Sequence, residues 1–182
     1  MEVIIEVLQW YNIFVISTSF ISLIFIKLLS YIFPIEIYNI SKNLIRWLII
    51  FSGFTKIIFF IYDAITSDEL SFINRAAGPY AAVYWITIFF SCLLPFTLLF
   101  KKIGKKGWFI LAVALVMNSG WMFERFVIIV TSLHRDYLPS SWSMSSPFVP
   151  LVTSIIYGAI QAVIITGLSI IYIKYTKIKK DV

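Results

Sequence analysis

The residues able to do chemistry concentrate in one apolar run, Asn118-Ser119-Gly120-Trp121-Met122-Phe123-Glu124-Arg125. A carboxylate and a guanidinium inside such a run are costly to bury unless each is paired or put to use. Neighbouring positions on a helix point about 100° apart, so Glu124 and Arg125 pair poorly with each other. Asn118, Trp121 and Arg125 share one helix face, and Gly120, Glu124 and Ile128 share another. Each charge therefore calls for a partner on a different helix. Lys56 is the candidate for Glu124. Each lies inside its own apolar segment at a depth of about 10 Å from the same boundary, at 1.5 Å rise per residue. Buried acid and base at equal depth suit a proton path through Glu124, Arg125 and Lys56. They also suit a structural ion pair, or a Lys56 that reaches outward to lipid headgroups.

A second group, His134, Arg135 and Asp136, directly follows the same run. A lone imidazole at a membrane interface can donate to a quinone carbonyl or relay protons near neutral pH. It can equally be a loop histidine hydrogen-bonded to a partner subunit. Three further features belong to packing. Pro95 should kink its segment and free a backbone carbonyl, which Ser91 and Thr97 can re-satisfy. Gln161, among Gly158, Ala159 and Ala162, marks close helix contact more than a ligand site. Cys92 reads as a small core residue.

The elements that hold these groups are membrane helices. A spanning helix needs roughly 20 mostly apolar residues. Five segments qualify: Trp10–Phe33, Leu44–Tyr62, Pro79–Phe100, Trp108–Thr131 and Phe148–Ile173. The breakers fall between them, at Pro34, Asp68–Gly78, Gly104 with Gly107, and Pro139–Pro150. The alternation of an outer-membrane barrel is absent. The expected fold is therefore an all-α integral membrane protein, with residues 1–182 as a single membrane domain of five transmembrane helices.

Composition agrees. Of 182 residues, 60% are hydrophobic and 13% charged, against roughly 45–50% and about 25% in soluble domains. The 15 Lys and Arg against 9 Asp and Glu are placed as a topology signal. With the amino terminus outside, eleven basic residues (Lys27, Lys42, Arg46, Lys101, Lys102, Lys105, Lys106, Lys174, Lys177, Lys179 and Lys180) fall inside, facing anionic lipid, and only Arg75 and Arg135 fall outside. Nucleic acid is not the expected partner. One cysteine and one histidine exclude an internal disulfide, a cysteine-rich metal or iron–sulfur site and a bis-histidine haem within this chain. No metal site is expected. The first span begins outside without a basic flank or a signal-peptide cleavage site. Such a start is easiest to understand if other helices normally precede it, as in a fragment or split-gene product, or if a partner chain helps insert it.

Two stretches go beyond composition. Asn74-Arg75-Ala76-Ala77-Gly78-Pro79-Tyr80-Ala81-Ala82-Val83-Tyr84-Trp85 leads into the third span. The string from Asn118 through Glu124-Arg125-Phe126 and Ser132-Leu133-His134-Arg135-Asp136-Tyr137-Leu138-Pro139 to Trp142 closes the fourth. Together they resemble the carboxyl-terminal part of NrfD-like, polysulfide-reductase-type membrane subunits of alternative complex III. The resemblance covers nearly the whole chain, weakly before Ile40 and strongly from Asn74 to Pro147.

The resemblance implies a fold, an activity and partners. Family members carry about twice as many helices, in two four-helix bundles with flanking helices, and this chain would correspond to the second bundle and last helix. They contain no haem. They help oxidise menaquinol beside an iron–sulfur subunit on the outer face, which passes electrons to cytochrome c subunits, and proton translocation is ascribed to them. The implied cofactor list for this chain alone is empty, with menaquinol as substrate of the complex. The implied partners are the lipid bilayer, the iron–sulfur subunit, the cytochrome c subunits, another NrfD-like subunit and a separate chain with the missing first helices. The implied location is the bacterial cytoplasmic membrane. His134, Arg135 and Asp136, with Tyr80 and Trp85, become a candidate quinol or docking edge. The sequence departs from the family pattern in two places. The first bundle, to which the family's quinol pocket is largely assigned, is missing, and Lys56-Ile57 stands where members often carry an acid.

The leading expectation is thus a subunit of a menaquinol:cytochrome c oxidoreductase that itself holds no redox centre. A small transporter or channel component is the first rival, because buried charges and a kinked helix also suit a substrate path. A degraded scaffold subunit with only an assembly role is the second.

Overall fold

A computed structural model of the chain describes residues 6–8, 10–66, 76–78, 81–119 and 148–178. Every regular element among the described residues is helical. A π-helical turn, Tyr11–Ile16, leads into α1 (Ser19–Leu29). Pro34 then ends the chain's first pass. Its own carbonyl accepts from the N–H of Ile37 at 3.0 Å, so the proline sits where a missing N–H costs nothing. From there α2 runs unbroken from Ile35 to Thr66. Its 32 residues extend about 48 Å at 1.5 Å each, well beyond an apolar layer of about 30 Å.

The third pass changes its winding as it goes. It begins as α3 (Ala81–Ile88), widens to a π-helix over Phe89–Leu93 and tightens to a 3₁₀-helix over Leu94–Leu99. The cause is Pro95, which has no N–H for an α-helical bond and clashes with the preceding turn. The N–H of Leu94 bonds the carbonyl of Phe89, five residues back. The hydroxyl of Thr97 donates to the Leu94 carbonyl at 2.6 Å, and that of Ser91 to Ile88 at 3.3 Å. The two hydroxyls expected to re-satisfy the carbonyl freed by Pro95 instead bond those of Ile88 and Leu94, not that of Ser91 four residues before the proline. A tight connection then leads to α4 (Gly107–Met117), and α5 covers Phe148–Ile178.

The core lies where the helices meet. Ile26 of α1, Ile45 and Ile49 of α2, Leu98, Ile110 and Val113 of α4, and Ala162 and Ile165 of α5 form one buried cluster. The outward faces remain apolar, with Val163 64% and Ile171 66% exposed. In water such a surface would drive association, whereas in a bilayer it is the lipid-facing side. Three helical stretches are long and apolar enough to cross a membrane: Ile35–Tyr62, Ala81–Leu99 and Val152–Lys177. Two shorter apolar stretches, Phe14–Leu29 and Gly107–Met117, accompany them. The expected first span is therefore interrupted. The second half of the expected fourth span lies outside the described residues. The described part is an all-helical membrane protein with three candidate spanning helices.

Several of the described basic residues gather at one end. The ring of Tyr38 lies 5.2 Å from Lys27 Nζ and 5.1 Å from Lys42 Nζ, and Lys101 and Lys105 border the same cleft as Lys42. One basic residue departs from the expected placement at a helix end. Arg46 is only 6% exposed. The reason is the start of α2 at Ile35 rather than near Leu44, which carries residue 46 three turns into the helix and under the third pass.

Candidate functional site

The densest polar cluster lies at the interruption of the first pass, where the π-turn gives way to α1 at Ser17 and Thr18. At this change of winding the carbonyls of Phe14, Val15 and Ile16 are each met by a side-chain polar group. Side chains from three elements take them. Thr18 Oγ1 lies 2.8 Å from the Phe14 oxygen, and Ser19 Oγ donates to Ile16 at 2.7 Å. From α5, Gln161 Nε2 donates to Val15 at 3.1 Å. Just past the end of α4, Asn118 Nδ2 reaches Ile16 at 3.3 Å while also bonding Ala114 at 2.7 Å.

The other end of the Gln161 amide completes the join. Its Oε1 accepts from Thr18 Oγ1 at 2.9 Å and from the hydroxyl of Ser22. Ser22 also lies 2.9 Å from the carbonyl of Gly158. This close approach requires glycine, because a Cβ on residue 158 would stand 2.5 Å from Ile21 Cγ2 and 2.8 Å from Ile21 Cβ. The packing role expected for Gly158 and Gln161 is what the structure shows. One turn above, Asn12 Nδ2 donates to Thr55 Oγ1 of α2 at 3.2 Å, and Tyr11 donates to the Leu48 carbonyl at 2.6 Å. None of these side chains ionises near neutral pH. The cluster can fix a broken helix in place but supplies no acid or base.

Among the described residues, Lys56 is an ionisable group in this half of the bundle. Gly53, one turn earlier in α2, lets the π-helical part of the third pass approach closely. A Cβ there would lie 3.1 Å from Pro95 Cβ and 3.2 Å from the Cys92 carbonyl. Lys56 follows Gly53 by three residues on α2. It is half-buried. Cys92 itself is a buried free thiol, as a core residue should be.

Of the edge residues, Trp85 is described. Its Nε1 donates to the Ala76 carbonyl at 3.0 Å, and its ring meets Phe60 edge to face at 6.2 Å. The indole thus ties the segment before α3 to α2. Glu124, Arg125, His134, Arg135, Asp136 and Tyr80 lie outside the described residues. Among the described residues no three His, Cys, Asp or Glu side chains come together as a metal would require. The residues that sequence reasoning missed are Thr18, Ser22 and Arg46. The run Ser17-Thr18-Ser19, with Ser22 four residues beyond Thr18, is the signal that marks the first two. No protein-family model matches the chain, and no curated protein matches it.

Proposed function

We propose that the chain is a membrane subunit of a quinol-oxidising electron-transfer complex, of the NrfD-like kind that belongs to alternative complex III. The observation that carries this reading is the string from Glu124 to Trp142, whose order of residues resembles that family. Two structural features support it. The described chain is a helical membrane protein, and it keeps a cation, Lys56, half-buried in a spanning helix.

In this reading five helices span the bacterial cytoplasmic membrane, with the amino terminus outside and the carboxyl terminus inside. Menaquinol gives up two protons and two electrons at the outer edge. The electrons pass to the iron–sulfur partner and on to cytochrome c subunits, because this chain offers no redox centre. His134 or Asp136 receives a proton, Arg135 docks the partner, and Tyr80 and Trp85 border the quinol. Lys56, Glu124 and Arg125 line a proton path. A further chain supplies the helices of the first bundle.

A transporter would use the interrupted first helix as its substrate site. There the Val15 and Ile16 carbonyls are already taken by Gln161 and Asn118, which favours a fastening over a binding site. The test of the proposal uses the outer segment in the purified complex. Arg135→Ala should lose the iron–sulfur subunit, whereas His134→Ala or Asp136→Asn should keep the complex and slow quinol oxidation. Normal assembly and turnover in all three variants would remove both roles.

A further inference from the structure

Arg46 is a buried cation whose hydrogen bonds among the described residues are to neutral groups. Its Nε donates to the Leu98 carbonyl at 2.9 Å, and a terminal nitrogen donates to Asn43 Oδ1 at 2.9 Å. Its guanidinium also lies 5.4 Å from the ring of Trp47. Five N–H donors are available on a guanidinium, and the group stays charged under all ordinary conditions. Among the described residues two donors are thus engaged and the rest of the fork remains. A charge taken out of water without an opposite charge is expensive.

The fork borders a cleft of about 1190 Å³, slightly above the roughly 300–1,000 Å³ of ordinary ligand pockets. Lys42 of α2 and Lys101 and Lys105 of the connection before α4 border it too. No Asp or Glu is among its lining residues. Four cations from two segments therefore face one space with no anion built into it. The connection is held in this place by Gly104, since a Cβ there would lie 2.0 Å from the Leu98 oxygen that Arg46 bonds. The site is thus anchored by buried backbone and is not only a cluster of surface lysines.

The remaining wall is amphipathic. Trp47 and Tyr172 border the cleft together with Leu44 and Leu168. Tyrosine favours the headgroup level of a bilayer, and Trp47 and Leu168, each about one turn further from the basic end than Leu44 and Tyr172, extend the surface toward the apolar layer. A guanidinium fork matches phosphate oxygens in a two-pronged geometry. We infer that this cleft binds the phosphate headgroup of an anionic phospholipid. The phosphate rests on the free edge of Arg46 with Lys42, Lys101 and Lys105 around it, and an acyl chain lies along Trp47 and Leu168. The apolar part of the wall is what distinguishes a lipid from free phosphate, which would leave it unused.

Spin-labelled phosphatidylglycerol titrated into the purified chain in a neutral detergent tests this, with the immobilised fraction read by electron paramagnetic resonance. Spin-labelled phosphatidylcholine is the comparison lipid, and millimolar inorganic phosphate is the competitor. Phosphatidylglycerol should be immobilised preferentially and should resist displacement by phosphate. Lys101 and Lys105 are exposed, so the double variant Lys101→Gln/Lys105→Gln leaves the fold intact. It should weaken phosphatidylglycerol binding by roughly 25-fold, at about fivefold per surface cation, without changing phosphatidylcholine. Arg46→Lys should retain more of the preference than Arg46→Gln. Equal immobilisation of the two lipids, or a double variant that binds like the parent, would overturn the site. Displacement by inorganic phosphate would assign the cleft to a free anion and overturn the lipid.

Discussion

The Oε1 of Gln161 accepts a hydrogen bond from Thr18 Oγ1 at 2.9 Å, joining the last helix to the interruption of the first. The same amide donates to Val15, so one side chain serves both a backbone carbonyl and a hydroxyl. An interrupted helix in a bilayer persists only where neighbours supply such bonds.

Gln161→Leu should therefore destabilise the chain. Side-chain hydrogen bonds in membranes average roughly 0.6 kcal/mol and reach about 1.7, so losing three contacts should cost about 1–3 kcal/mol. Unfolding in mixed detergent micelles measures this. A variant as stable as the parent would show that the interruption holds without α5.

Two glycines of α5 separate packing from helix propensity. Gly158→Ala brings a Cβ to 2.5 Å from Ile21 Cγ2 and should cost about 1–3 kcal/mol through overpacking. Gly167 has nothing within 4 Å of an added Cβ, so Gly167→Ala should be neutral or stabilising by up to about 1 kcal/mol. Thermal unfolding of both variants in one detergent compares them. Equal effects would contradict the close contact of α1 with α5.

The membrane helices are readable from the sequence because spanning requires long apolar runs, and every backbone group must then be satisfied within its own helix. The change of winding near Pro95 and the close packing at Gly158 and Gln161 follow from single residues with strong local rules. Arg46 is different. Its burial depends on α2 beginning at Ile35 and on Leu98 arriving from another pass, neither of which its neighbours reveal. Thr18 and Ser22 also escape, because Ser and Thr in a helix ordinarily bond the carbonyl four residues back. Their bonds to Gln161 exist only once α1 and α5 meet. Lys56 stands out in sequence as a charge in an apolar run.

Orientation is open to chemical labelling. With the carboxyl terminus inside, Lys105→Cys should resist an impermeant maleimide added to intact cells and react once the membrane is permeabilised. The gathering of Lys27, Lys42, Lys101 and Lys105 at one end motivates this under the positive-inside rule. Reaction in intact cells would reverse the topology.

Lys56 and Glu124 are expected to meet across the second and fourth spans. Removing one member of a buried ion pair costs roughly 3–5 kcal/mol, because the other is left uncompensated. Glu124→Gln should therefore impair accumulation of the chain in membranes more than the double variant Glu124→Gln/Lys56→Met. If the second substitution worsens the first, the two side chains are not paired.

The central claim is membership in a quinol-oxidising complex, and co-purification in a mild detergent tests it most directly. The tagged chain should bring down an iron–sulfur subunit, cytochrome c subunits and a second membrane chain carrying further helices, and the preparation should oxidise menaquinol with reduction of cytochrome c. Recovery of the intact chain with no redox subunit and no quinol-dependent reduction would contradict the claim.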